Sequence, residues 1–136
     1  MANTLKLEIV TPESKVYSED VDMVTLPGVE GEMGVFPMHV PLMTQLVSGE
    51  VVVRKGGKDF FLAVGAGVVE ITGERVSILT DMATKEEDID EAKAEEALKR
   101  AEARLAEKLD DAEVASTSAA LAHSLAQLKV KRRQQR

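Results

Sequence analysis

The chain has no cysteine and no tryptophan, and its 136 residues include one tyrosine, three phenylalanines and two histidines. Without thiols there is neither a disulfide framework nor a zinc site built on sulfur. His39 and His123 stand far apart in segments of unlike character, so neither a histidine-rich metal site nor the i,i+4 pair of a metalloprotease forms locally. No run of 18 apolar residues exists, which excludes a spanning helix and leaves membrane association to partners. Residues Met1 to Ile9 alternate in character and lack the basic and apolar regions of a secretory signal. Also missing are a Walker sequence, a G-x-S-x-G elbow and a G-x-G-x-x-G turn opening a helix. Gly65-Ala-Gly67 comes nearest, but Val68-Val-Glu-Ile71 after it is a strand pattern, so the passage reads as a strand link or bulge. Carboxylates are plentiful, yet none is marked by a pocket signature, and the chain reads as no enzyme.

Beyond Asp81 the sequence contains neither glycine nor proline, and there the chain changes character. Before that point short Val, Leu and Ile runs are punctuated by Gly and Pro; after Asp90 come Ala, Leu, Glu, Lys and Arg. The pattern predicts an α+β protein: an N-terminal antiparallel β-sandwich over 1–84, followed by a C-terminal antiparallel two-helix hairpin over 85–136. Leu5, Leu7 and Ile9 alternate with Lys6 and Glu8 as a strand wet on one face, and Val21 and Met23 begin a similar pattern before a turn at Pro27-Gly28. Gly56-Gly57 centres one hairpin and Gly73-Glu74 another. From Gly28 to Pro41 glycines and prolines specify an irregular path. There His39 is either hydrogen-bonded inside the sandwich or part of a presented contact loop with Glu30 and Glu32 at its tip.

In the second half, Thr84-Lys-Glu-Glu87 has capping-box spacing, which predicts a helix starting near residues 85 to 89. Ala94, Leu98, Ala101, Leu105 and Leu109 form one apolar stripe, Asp110-Asp111 the break, and Leu121, Leu125 and Leu128 the stripe of a second helix. The two helices, each about 30 Å long, are expected to fold back as a hairpin. Half of this seam is alanine, which buries little area, so the hairpin is expected to exist either docked or extended toward a partner.

Net charge is -7, unevenly spread: residues 1–84 carry 12 acidic and 6 basic groups, 85–113 the same numbers, and 114–136 none against five. A basic end on an acidic body excludes broad nucleic-acid binding and points to a local acidic partner surface. Equally, Lys129, Lys131, Arg132, Arg133 and Arg136 complement a helix dipole.

Three passages carry a resemblance: Glu30-Gly-Glu-Met-Gly-Val-Phe-Pro-Met-His-Val-Pro-Leu42, Phe61-Leu-Ala-Val-Gly-Ala-Gly-Val-Val-Glu70, and Asp88-Ile-Asp-Glu-Ala-Lys-Ala94 with Leu125-Ala-Gln-Leu-Lys-Val130 downstream. In them the chain resembles, over essentially its whole length, the epsilon subunit family of the F-type proton-translocating ATP synthase. The resemblance implies a non-catalytic central-stalk rotor subunit, peripheral on the cytoplasmic face of a bacterial membrane. Such a subunit would couple proton translocation through the c-subunit ring to ATP synthesis. The implied partners are the gamma subunit, the ring, and the beta and alpha subunits. Glu30, Gly31, Glu32, Met33 and Gly34 would rest on the ring, with His39 framing that loop. Lys129, Lys131, Arg132 and Arg133 would meet an acidic segment of the beta subunits and block hydrolysis. Some bacterial members bind ATP through a motif that falls here on Ile89, Asp90, Lys93 and Ala94, with lysine where the motif has arginine. Lysine keeps the charge but loses the planar fork that grips phosphate, and otherwise Asp90 is a first-turn dipole partner and Lys93 a solvated residue. A free-standing nucleotide-sensing or adaptor module of the same build is the alternative.

Overall fold

The computed structural model describes residues 4–133; Arg136 of the basic end lies outside them. The chain runs β1 (Leu5–Val10), β2 (Lys15–Val21), β3 (Met23–Gly28), β4 (Gly31–Val35), β5 (Leu42–Leu46), β6 (Gly49–Lys55), β7 (Lys58–Val64), β8 (Gly67–Ile71), β9 (Arg75–Thr80) and β10 (Ala83–Lys85). A single 3-10 turn (Glu86–Asp88) leads to the helices α1 (Glu91–Leu105) and α2 (Asp111–Arg133).

The strands form one continuous sheet in the order β10-β7-β6-β3-β5-β8-β9-β1-β2, with β4 paired to β3. The sheet turns its corner at β3, which meets β6 through Met23–Thr25 but β5 only at Gly28 opposite Leu46. Two layers result, and the inward-facing members of each alternation fill the space between them: Leu7 and Ile9 of β1, Val24 and Leu26 of β3, Val51 and Val53 of β6, Ile78 of β9. The pairings are antiparallel except that β1 runs parallel to β9, which brings the first strand against the ninth. At Gly56-Gly57, with φ of 61° and 79°, the β6–β7 hairpin closes as its two glycines require. Gly65 and Ala66 link β7 to β8, and the buried Thr80 hydroxyl donates to the Gly65 carbonyl at 2.9 Å, so the strand-link reading of this passage holds.

Two local expectations need correction. The Pro27-Gly28 turn lies two residues later, at Val29-Glu30, because Pro27 is carried inside β3, where its carbonyl accepts from Val47 N at 2.9 Å. The stretch expected to be irregular from Gly28 contains a regular strand, β4, of which only Gly31 has positive φ, 129°.

The hairpin begins later than its capping box suggests. Residues 83–85 pair with β7 as β10, and the cap of α1 is Asp90, whose Oδ1 accepts from Lys93 N at 3.1 Å. Asp110 caps α2 in the same way through Glu113 N at 2.8 Å, which places the break where the acidic pair predicts it. At 1.5 Å per residue, α1 is about 22 Å long and α2 about 34 Å, so the two are unequal. Ala94 and Ala101 of α1 are buried as expected. In α2, however, Leu125 is 50% exposed, while Ala126, Leu128 and Val130 are covered. The helix is turned so that Ala126 and Val130 meet Ala63, Ile89 and Phe61 in a small cluster separate from the sandwich core.

Candidate functional site

Two surfaces carry the residues singled out by the sequence. The first is the β3–β4 hairpin. Its register, Pro27 opposite Glu32 and Gly28 opposite Gly31, leaves Val29 and Glu30 at the tip. Glu30, Gly31 and Glu32 are exposed, Met33 is half-buried against the core, and Gly34 is exposed. The hairpin thus presents two carboxylates on a stiff two-stranded support. His39 lies beyond it, half-buried at the surface and not inside the sandwich, with Nδ1 donating to the Val40 carbonyl at 2.6 Å. Its neighbour Met38 is held at a φ of 67°, with its N–H bonded to the Gly73 carbonyl at 2.7 Å. This tie fixes a run of exposed apolar side chains, Phe36, Met38 and Val40, beside the sheet.

A second set of exposed apolar side chains lies on the outer face of the second layer. Val10 pairs with Leu79 and Leu79 with Val68, while Met43 of β5 and Val47 just past its end flank Gln45, which pairs with Val68. Leu79, Val68, Met43 and Val47 are all exposed. The period-two pattern of each strand shows which residues face out, but not that four strands bring their apolar outward residues together, so the sequence reading missed this face.

The second surface is the docked arm. Arg104 and Glu113 pair at 2.8 Å across the helix connection. At the opposite end Arg132 pairs with Glu91 at 3.1 Å and lies 3.8 Å from Glu95, both on α1. Arg133 grips Glu50 of β6 through two bonds, one of 2.9 Å, and its guanidinium lies 4.9 Å from the centre of the Phe61 ring. Lys129 is exposed and Lys131 half-buried. Gln127 donates to the Thr84 hydroxyl at 3.1 Å. One turn earlier, His123 is buried with Nδ1 unpartnered, and burial holds its pKa below the ordinary value while Asp81 opposes the shift.

The residues aligned with the nucleotide motif do not share an open site. Ile89 and Ala94 are buried, the Asp90 carboxylate is engaged in capping, and Lys93 is exposed. A hollow of about 280 Å³ on the face of β3, β4, β6 and β7, reached from the arm by Arg133 alone, is lined instead by Glu32, Glu50, Arg54, Asp59 and Arg133. A larger cleft of about 670 Å³ gathers Tyr17, Phe60, Phe61, Lys55, Lys85 and Glu86. There burial and then Glu19 push the Tyr17 phenol up to about 12, and burial pushes the Glu86 carboxyl up. Among the described residues no three His, Cys, Asp or Glu side chains are grouped to hold a metal ion.

A β-sandwich followed by a helical arm defines the class of chain in which comparison with known proteins places this one. Residues 4–86 match the model of the ATP synthase delta/epsilon chain beta-sandwich domain, and 87–132 the model of its long alpha-helix domain. The chain belongs to the epsilon subunit family of ATP synthase. It is 46% identical over 127 residues to an ATP synthase epsilon chain of Dehalococcoides mccartyi, covering 93% of this chain and 91% of the relative. With the epsilon chain of Desulforamulus reducens the identity is 41% over 129 residues, covering 95% and 98%. Among solved structures, a chain of the Euglena gracilis mitochondrial ATP synthase, in a complex of OSCP, F1 and c-ring, superposes with a TM-score of 0.77 at 27% identity, covering 95% of this chain and 81% of that one.

Proposed function

We propose that this chain is a non-catalytic rotor subunit of a proton-translocating ATP synthase, coupling rotation of the membrane c-ring to ATP synthesis in the catalytic head, with its helical arm as a brake on hydrolysis. The observation that carries the proposal is the way the arm is held. Its basic end lies against the sandwich through a small cluster rich in alanine and a few polar bonds, a fastening weak enough to release.

Each surface has a place in this reading. The exposed apolar face formed by Met43, Val47, Val68 and Leu79 takes the gamma subunit. The hairpin tip with Glu30 and Glu32 takes the polar loops of the c-ring, Gly31, Met33 and Gly34 shaping it and His39 bracing the chain behind it. When the arm extends, Lys129, Lys131, Arg132 and Arg133 face an acidic segment of the beta subunits, next to the alpha subunits. No described helix is long and apolar enough to cross a membrane, which suits a peripheral position; bacterial relatives favour the cytoplasmic face of a bacterial membrane. ATP at Ile89, Asp90, Lys93 and Ala94 would require the α1 start to open, since Asp90 is engaged there.

The test is steady-state ATP hydrolysis by the reconstituted complex with the full chain and with the chain ended at Asp88. That end point keeps β10, which belongs to the sheet. Faster hydrolysis with the shortened chain at equal occupancy is expected; equal rates overturn the brake.

A further inference from the structure

The ion pairs of the basic end are of two kinds. Arg132 bonds to Glu91 and approaches Glu95, both on α1, so this grouping moves with the arm and does not oppose its departure. Among the described residues, Arg133 with Glu50 is the ion pair that joins α2 to the sandwich. The Glu50 side chain is only 7% exposed. It sits on β6 opposite Ala63 of β7, and Ala63 belongs to the cluster that receives Ala126 and Val130. Both Glu50 oxygens accept from Arg133, and Phe61 lies beneath the guanidinium. Departure of the arm breaks this bidentate, charge-assisted pair and its stacking on Phe61, a larger loss than a simple exposed surface pair contributes.

We propose that Glu50 is a built-in competitor for Arg133: it offers the arginine the same bidentate carboxylate that an acidic partner peptide would offer, and this pair, together with the small apolar cluster, sets how readily the arm leaves the sandwich. The proposal rests on the reading that the basic end engages an acidic surface. Glu50 and the partner cannot hold Arg133 together, so the docked state and the engaged state exclude each other at a single side chain. A lysine at 133 keeps the charge but has neither the fork nor the flat face that Phe61 supports.

Hydrogen exchange of the intact chain, read by mass spectrometry, tests this. Glu50→Gln is expected to speed exchange in residues 111–133 by about tenfold, with β1, β8 and β9 unchanged. Arg133→Lys should fall between it and the parent. The charge swap Glu50→Arg with Arg133→Glu should restore protection, which a packing defect would not. Added poly-glutamate should loosen α2 in the parent chain, and at lower concentration in Glu50→Gln. Unchanged α2 protection in Glu50→Gln, with the strands intact, overturns the competitor whatever the ATPase does. An arm that opens in Glu50→Gln while hydrolysis by the complex stays the same supports the competitor and removes the brake.

Discussion

Val130→Ala measures how firmly the arm is packed. Val130 is 0% exposed and touches a cluster of Ala63, Ile89 and Ala126 with Phe61 at its edge. Removing its two methyl groups forfeits about 1.6 kcal/mol of transfer free energy, at about 0.8 kcal/mol for each buried carbon. The neighbouring alanines have no side chain able to move into the space, so a cavity contribution raises the loss to about 2–3 kcal/mol. At 1.4 kcal/mol per factor of ten, this multiplies the undocked population by about 30-fold or more. The effect should be confined to the arm, because the cluster is separate from the sandwich core. Trypsin reports it: Lys129 and Lys131 lie within α2 and are cleaved only from an opened arm, so the initial cutting rate follows the opened fraction. Leu125→Ala is the control; this side chain is 50% exposed and its loss should change the rate little. Equal cutting of parent and Val130→Ala would refute the assigned face, as would Leu125→Ala cutting as fast as Val130→Ala.

Three further outcomes follow from the same contacts. Burial holds His123 below its ordinary pKa, so the free arm binds the proton more tightly; docking keeps full strength above about pH 6.5 and weakens as pH falls, by up to about tenfold per unit. Glu86, pushed up, acts with the opposite sign nearer the carboxylate range, so α2 exchange corrected for intrinsic rates should be compared between about pH 7.5 and 5.5, with His123→Gln flattening the dependence. Gly67→Ala would place a methyl carbon 2.1 Å from the Leu79 carbonyl oxygen, a backbone atom that cannot yield, and is expected to cost about 3 kcal/mol and lower Tm by about 10 °C in calorimetry. Glu32→Lys, at an exposed hairpin position, should leave Tm unchanged and weaken ATP-driven proton pumping in membrane vesicles; unchanged pumping removes the ring contact.

Local signals were legible wherever one residue type permits one conformation. The paired glycines at 56 and 57 placed a two-residue hairpin, Leu5, Leu7 and Ile9 placed a half-wet strand, and Asp110 placed the start of α2. Signals that depend on competition between neighbours misled. Thr84-Lys-Glu-Glu87 has the spacing of a cap, but residues 83–85 find hydrogen-bond partners on β7, and Asp90 wins the cap. Leu125 fits the leucine spacing of α2, yet the face that meets Ala63 and Phe61 of β7 and Ile89 is the one carrying Ala126 and Val130, so Leu125 points out. For the site, the exposure of Glu30 and Glu32 was readable from the turn chemistry around them. The partner of Arg133 was not, because Glu50 lies 83 residues away in sequence and is brought near only by the sheet order.

The parallel pairing of β1 with β9 also orders events in time. β1 finds its β9 neighbour only after residue 80 has been made, so the sandwich cannot close until both strands are available. Such distant pairing slows folding relative to a chain of local hairpins. Until then Leu7 and Ile9 lack half of their sheet, and β1 is a segment in need of protection from wrong partners. The arm, made after the sheet, meets β6 and β7 already joined by their own tight turn, so its docking follows closure of that hairpin.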